Sequence, residues 1–366
     1  MSPSSGALAH TISHNWLGKA DLAVQSILLT GGVSAVALRL WSRRLLGVSW
    51  QWNDRFILVA LIVALGRYIA ELLLVLLCGL GLHTEEAENV GGHGVLIRFR
   101  KITFVGDLLW ITALTLIQLS SLHYYLRQFQ HRMIVLLTYT MMGICSALWI
   151  GSFFATTFSC APVKKAWLSD TTGHCGNKKH LHLSSTVSEG IVETFILCLP
   201  LPILLHSRLS TARKGAVGGI YLLGFIIIAT TLVRIKTYSS LNTNDILYTS
   251  VRNSLLSCAV PFLGIIVACL PIIPPAIHRI FGTDIFLSPT DSMTTYSYRA
   301  SGYYKTTVLS GKQMEEPEIP LVSVRQPPMA KKLSEWCHGQ IKITSDWEIH
   351  STRNSARLDK DSIRRA

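Results

Sequence analysis

Five ionisable side chains stand inside stretches that are otherwise almost wholly apolar: Glu71, Asp107, Glu189, Glu193 and Arg234. Charge is costly in such surroundings, so each is a candidate for binding or proton chemistry. Glu189 and Glu193 are four apart, which places them on one face if the segment is helical. Acids so placed suit general acid chemistry on an apolar substrate, and an arginine suits an anionic or carbonyl group. The opposing reading is that Asp107, Glu193 and Arg234 neutralise one another between helices, since paired buried charges need no ligand. Arg67 and Glu71 are also four apart, and a local ion pair is the preferred reading there. Arg39, near the end of its run, is expected to reach back to the interface by its long stem.

The surroundings that would hold these groups follow from composition. The chain has 366 residues, of which 49% are apolar and only 15% charged. Soluble domains carry about a quarter charged residues, so lipid is the implied solvent. A helix needs roughly 20 mostly apolar residues to cross a bilayer. Seven stretches meet or approach that length, at about 22–42, 56–80, 102–124, 133–156, 186–206, 217–237 and 253–275. Backbone groups in lipid must be satisfied within their own segment, so runs this long are helices. The expected fold is an all-α membrane protein: a seven-transmembrane helix bundle over 22–280, an outer N-terminus over 1–21, and a disordered cytosolic tail over 281–366. The tail is rich in Ser, Thr and Pro, with an alternating patch at Ile341, Ile343 and Ile349.

The net charge of +13 has two natural partners, nucleic acid and anionic lipid. The basic residues flank apolar runs or lie in the tail, which selects the lipid bilayer and excludes nucleic acid. Arg43–Arg55, Arg127–Arg132, Arg208–Lys214 and the tail fall on one side. That balance places the N-terminus outside and the C-terminus in the cytosol, at the plasma membrane or an endomembrane. Cys160 and Cys175 then share an outer loop, where an oxidising compartment favours a disulfide worth about 3 kcal/mol by loop closure. His174, His180 and His182 lack the tight spacing of a zinc site, and no metal or cofactor is expected. With this topology Glu71, Asp107, Glu189, Glu193 and Arg234 all fall in the outer half of the bilayer. They define an expected polar cavity for a small amphipathic ligand, beneath the disulfide-pinned loop.

Phe158-Ser-Cys-Ala-Pro-Val-Lys-Lys-Ala-Trp167 with Cys175 resembles the fourth-loop signature of the fungal rhodopsin-like seven-transmembrane integral membrane proteins. Trp52-Asn-Asp54, Leu119 to Arg127, Leu199-Pro-Leu-Pro202, Arg234 and Cys269-Leu-Pro271 agree with the pattern of that family. Its members include a membrane protein of a mycotoxin gene cluster and plant-surface-sensing receptors. The resemblance therefore implies a role in fungal secondary metabolism or small-molecule sensing, with a signalling partner at the cytosolic tail. Three positions depart from the pattern: Asn53 replaces an acid, Gln118 a lysine and Val260 a glutamate. A retinal pigment needs a lysine amine in the bundle for its Schiff base. The last apolar run contains none, which argues against that cofactor. A non-catalytic seven-helix protein, associated with secondary metabolism or small-molecule sensing, is the leading reading. A membrane-embedded cyclase or dehydratase and a transporter stand as alternatives.

Overall fold

A computed structural model describes residues 15–92, 94–129, 131–168, 171–202, 211–240, 245–281, 294–298 and 303–307. Helices dominate: α1 Trp16–Leu45, α2 Trp52–Cys78, the short α3 Thr84–Gly91, α4 Gly94–Gln128 and α5 Arg132–Thr157. After a loop containing the two-residue strands β1 Cys160–Ala161 and β2 His174–Cys175 come α6 Lys178–Cys198, α7 Thr211–Ser239, α8 Ile246–Cys269 and the short α9 Pro274–Phe281. Six of these (α1, α2, α4, α5, α7 and α8) are long and apolar enough to cross a membrane. The expected fifth span corresponds to α6, which has 21 residues but opens on the polar run Lys178-Lys-His-Leu-His182.

Local chemistry sets the helix ends. Asn15 caps α1, its Oδ1 accepting from the Gly18 N–H at 2.9 Å while its Nδ2 donates to the Leu80 carbonyl at 2.7 Å. Helix α2 opens on a reciprocal Gln51/Asp54 capping box and closes at Gly79, whose φ of +67° is open to glycine. The end of α8 is shaped by proline. Pro271, Pro274 and Pro275 have no N–H, so carbonyls one turn earlier lose donors. Side chains of α1 replace them: Ser42 Oγ donates to the Ile272 carbonyl at 2.6 Å and Arg39 Nη1 to the Ala268 carbonyl at 2.7 Å. Donors from a neighbouring helix, together with the 3-10 turn at Leu270–Ile272, satisfy a helix end that proline has broken.

The largest core cluster joins α1, α2, α4 and α8 through Val36, Ile57, Ala60, Ala64, Ala113, Ile117, Phe262 and Ile265. Alanines at 60, 64 and 113 let α2 and α4 approach closely, and those two helices share the most extensive contact in the bundle. The opposite faces carry Ile27, Ile62, Leu136, Leu137, Phe154, Leu222, Phe225 and Leu232, all exposed. A soluble protein would not present so much apolar surface, and here it faces lipid. Helix α5 is the extreme case, burying only Thr138, Met141 and Cys145.

Two sequence expectations change. Arg39 does not reach to the interface; it is 0% exposed, with Nε on Asp54 at 2.9 Å. Pairing to a carboxylate and a carbonyl supplies what water at the interface would have given. The tail is not structureless throughout, because Thr294–Tyr298 pairs antiparallel with Tyr303–Thr307. Both strands are rich in Thr and Tyr, residue types that suit a pleated surface. The Ile341–Ile349 patch and Arg208–Ser210 lie outside the described residues.

Candidate functional site

The expected disulfide between Cys160 and Cys175 is present, closing the β1–β2 loop. Lys178 Nζ donates to the Ala166 carbonyl at 2.8 Å, and the Trp167 ring packs edge-on to Phe104 of α4, centroids 5.8 Å apart. The loop is thereby tied to the ends of α4 and α6, above the candidate charges.

Those charges sort into three groups. In the first, Arg67 Nη1 donates to Glu71 Oε2 at 2.6 Å, as the spacing predicts. Ser254 of α8 donates to the other Glu71 oxygen, and Arg67 Nη2 reaches Ser254 Oγ at 3.3 Å. Glu71 is therefore bound up with α2 and α8. Asp21 and Gln25 of α1 join this group, and Gln25 Nε2 donates to Asp21 Oδ1 at 2.7 Å. Asp21 escaped the sequence reading because the first apolar run was drawn from residue 22, and Gln25, inside that run, carries no charge to mark it. Asp21 and Lys19 lower the hydropathy of a turn that is nevertheless helical.

The second group surrounds Arg234, which is 1% exposed. Its guanidinium lies over the Trp110 ring, 3.7 Å from the centroid, and its Nη2 is 3.0 Å from His182 Nε2. The His182 ring packs in turn on Tyr238 at 4.1 Å. Arg234 makes no salt bridge among the described residues, and its Nε has no partner. Trp110 Nε1 is likewise buried and unpartnered. Asp107 is half-buried on α4 between the fields of Arg67 and Arg234, in hydrogen-bonding contact with neither. Arg67 lies across Gly106, 3.5 Å from where a side chain would begin, so both arginines sit on one face of α4 a turn apart. Trp110 was not singled out from sequence, and His182 was weighed there only as a metal ligand; an aromatic in an apolar run reads as core until a cation is seen on its face.

In the third group, Gln118 of α4 donates to Glu189 at 2.8 Å and Thr231 of α7 donates to Glu193 at 3.3 Å. Glu193, Gln118, Ser121 and Tyr125 are the polar part of a cavity of about 100 Å³ between α4, α6, α7 and α8. Its remaining wall is apolar, including Leu114, Ile117, Ile227, Val260 and Gly264. Trp110, Leu114, Ile227 and Val260 form one packed cluster, so a layer of apolar side chains joins the Arg234 group to this cavity. The single outer cavity expected from sequence is thus divided. Glu71 belongs to a closed ion pair, Asp107 and Arg234 to an unpaired cluster, and Glu193 to the cavity wall, with Glu189 held behind it by Gln118. The direct Asp107–Glu193–Arg234 neutralisation does not form.

A bundle of long apolar helices with buried charge at its centre and lipid-facing aliphatics outside defines a multi-pass membrane protein. The fungal rhodopsin domain matches residues 38–279, and the chain belongs to that family. It is also 26% identical over 191 residues to a SAT4 family membrane protein of Emericella nidulans, a match covering 51% of this chain and 48% of that protein. The chain thus matches about half the length of that relative. No solved structure matches.

Proposed function

We propose that this chain is a seven-span, receptor-like membrane protein that binds a small amphipathic molecule within its bundle. The observation that carries the reading is Arg234: a wholly buried guanidinium with no salt bridge among the described residues and an unpartnered Nε. Charge is not retained at such depth without a partner or a use. A carboxylate or carbonyl at one end of a ligand would supply the missing acceptor, with Trp110 beside it. The apolar cavity beyond the Trp110 layer suits the other end, and pockets of this kind join apolar walls to a few convergent polar groups.

Further support comes from Gln118 and Val260. Both depart from the resembled family pattern, and both line the cavity. Loss of a lysine and a glutamate there makes the wall more apolar, which tunes this chain to a less polar ligand. Helix α6 serves as the fifth of seven spans, and the disulfide supports placing its loop, with the N-terminus, on the outer side. Membership of the family that the fourth-loop signature resembles, which includes a membrane protein of a mycotoxin gene cluster, supports a place in fungal secondary metabolism.

One observation favours an enzyme instead: Glu193 borders the apolar cavity with Glu189 one turn away, where an acid could protonate a substrate. Metabolite profiling of a host lacking the protein separates the two. The host is complemented with wild type, Arg234→Gln or Glu193→Gln. Under the sensing reading total output or its induction falls with Arg234→Gln and no intermediate accumulates. An intermediate cleared by wild type and not by Glu193→Gln would overturn sensing in favour of catalysis.

A further inference from the structure

The α1–α2–α8 contact holds two carboxylates that face one another with nothing visible to reconcile them. Asp21 is 2% exposed and Glu71 0%. Each oxygen can be followed. Glu71 Oε2 accepts from Arg67 and Oε1 from Ser254; Asp21 Oδ1 accepts from Gln25. Asp21 Oδ2 is buried without a donor, and the group beside it is the Glu71 carboxyl. Gln25 Oε1, in the same pocket, is also unpartnered.

Charge makes the arrangement more demanding. Arg67 is the cation in contact with the pair, and it satisfies one carboxylate. Asp107 of α4 adds a third acid to its field, shared with Arg234. The Cys258 thiol of α8 is a further titratable neighbour of both carboxylates, while the Tyr68 hydroxyl of α2 is engaged with Ser26 Oγ at 2.8 Å. Two ionised carboxylates in contact at membrane depth repel strongly, because nearby solvent does not screen them. Like charges sharing one site resolve this by keeping a proton.

We propose that Asp21 and Glu71 hold one exchangeable proton between them, so that the junction of α1 with α2 and α8 is a buried proton-binding site. The proton sits on Asp21 Oδ2 and is donated to Glu71. The carboxyl pair then carries one negative charge, which Arg67 matches. Release of the proton leaves two negative charges against one guanidinium and weakens the hold of α1 on the Ser254 face of α8. This site is separate from the Arg234 cluster and stands whether or not that cluster binds a ligand.

The test is infrared difference spectroscopy on the full chain in lipid nanodiscs, reading the C=O stretch of protonated carboxyls in H2O and D2O at neutral pH. Wild type is expected to show a D2O-sensitive carboxyl band. Asp21→Asn and Glu71→Gln should each abolish it, since either leaves one acid for Arg67 and no need of a proton. Glu193→Gln should leave that band in place. A band that survives both Asp21→Asn and Glu71→Gln, or none in wild type, overturns the proposal. Replacing potassium by sodium in the buffer covers the other monovalent occupant. If sodium removes the band and raises the thermal midpoint of wild type but not of Asp21→Asn, the site takes a metal cation and the proton reading falls. If Asp21→Asn is not monodisperse, the same comparison is decided by Glu71→Gln alone.

Discussion

Arg39 and Arg234 are both buried in the bundle, and the difference between them separates architecture from function. Arg39 has Asp54 at 2.9 Å and the Ala268 carbonyl at 2.7 Å, and Arg43 reaches the second Asp54 oxygen at 3.4 Å. It closes α1 onto α2 and onto the end of α8 that proline has stripped of donors. Arg234 has an aromatic face and a histidine, and no carboxylate in contact among the described residues. Each guanidinium keeps one buried nitrogen without a partner, Nη2 in Arg39 and Nε in Arg234, so the carboxylate separates them: a buried cation that has one is part of the scaffold, and one that lacks it points to a missing partner.

Breaking the scaffold end of this comparison should give the largest effect. Asp54→Ala leaves Arg39 and Arg43 facing each other without a counter-charge, and removing one partner of a buried pair costs about 3–5 kcal/mol. The variant should fail to yield a monodisperse protein in mild detergent, read by size-exclusion chromatography. Recovery of wild-type behaviour by Asp54→Ala would show that Arg39 is solvated after all.

Next in size is the loop disulfide. Cys175→Ser opens a cross-link spanning 15 residues in sequence, worth about 3 kcal/mol by loop-closure entropy. The thermal midpoint should fall while the spans remain helical. Protection of backbone amides around Trp167 should be lost first, read by hydrogen exchange, because the loop also leans on Phe104 and Ala166. Cys160→Ser should match it, and non-additivity in the double variant checks that one bond is responsible.

How much of this could be read in the sequence differs between the two regions. The apolar runs, the Arg67–Glu71 pair and the Cys160–Cys175 bond were legible because each depends on local spacing or on a shared loop. Arg39–Asp54 was not, since nothing in the spacing says that an arginine near a helix end turns inward to serve the carbonyls of α8. Asp21 was lost for a related reason: polar residues at the first turn look like an interface until Glu71 is seen beside them. The Arg234 site was legible as a charge and not as a geometry. Its sequence neighbours are apolar, while Trp110 and His182 come from α4 and α6, and their approach depends on packing that no local period encodes.

At the other end of the comparison, Arg234→Gln should barely move stability, by under about 1 kcal/mol, because the guanidinium has no matched ion pair to lose and its removal relieves a buried charge. The same substitution should lower the total metabolite output, or its induction, that wild type restores in a host lacking the protein. A sharper version is Trp110→Leu, which removes the ring under Arg234, worth about 2 kcal/mol or less when desolvated. Folding loss by Arg234→Gln comparable to that of Asp54→Ala would erase the distinction and make both arginines scaffold.

The smallest effect lies outside the membrane, where α3 is held to the start of α8. Asp245 accepts from the Thr84 backbone N–H at 2.9 Å and from the Thr84 hydroxyl at 3.0 Å, and contacts the His83 ring. Partial burial pushes its carboxyl up, but the Thr84 N–H, His83 and the Thr84 hydroxyl together outweigh this and hold it below the usual aspartate range. A depressed folded-state value means that the contribution is complete above the ordinary aspartate value, near 3.8, and is lost as pH falls through the lower one. Amide exchange over Thr84–Gly91 should therefore stay slow at neutral pH and quicken only in that acid window. Asp245→Asn should remove the acid step while retaining part of the cap, because an amide oxygen still accepts from Thr84. A step that persists in Asp245→Asn would assign it to Glu85 or Glu86 in the first turn of the same helix.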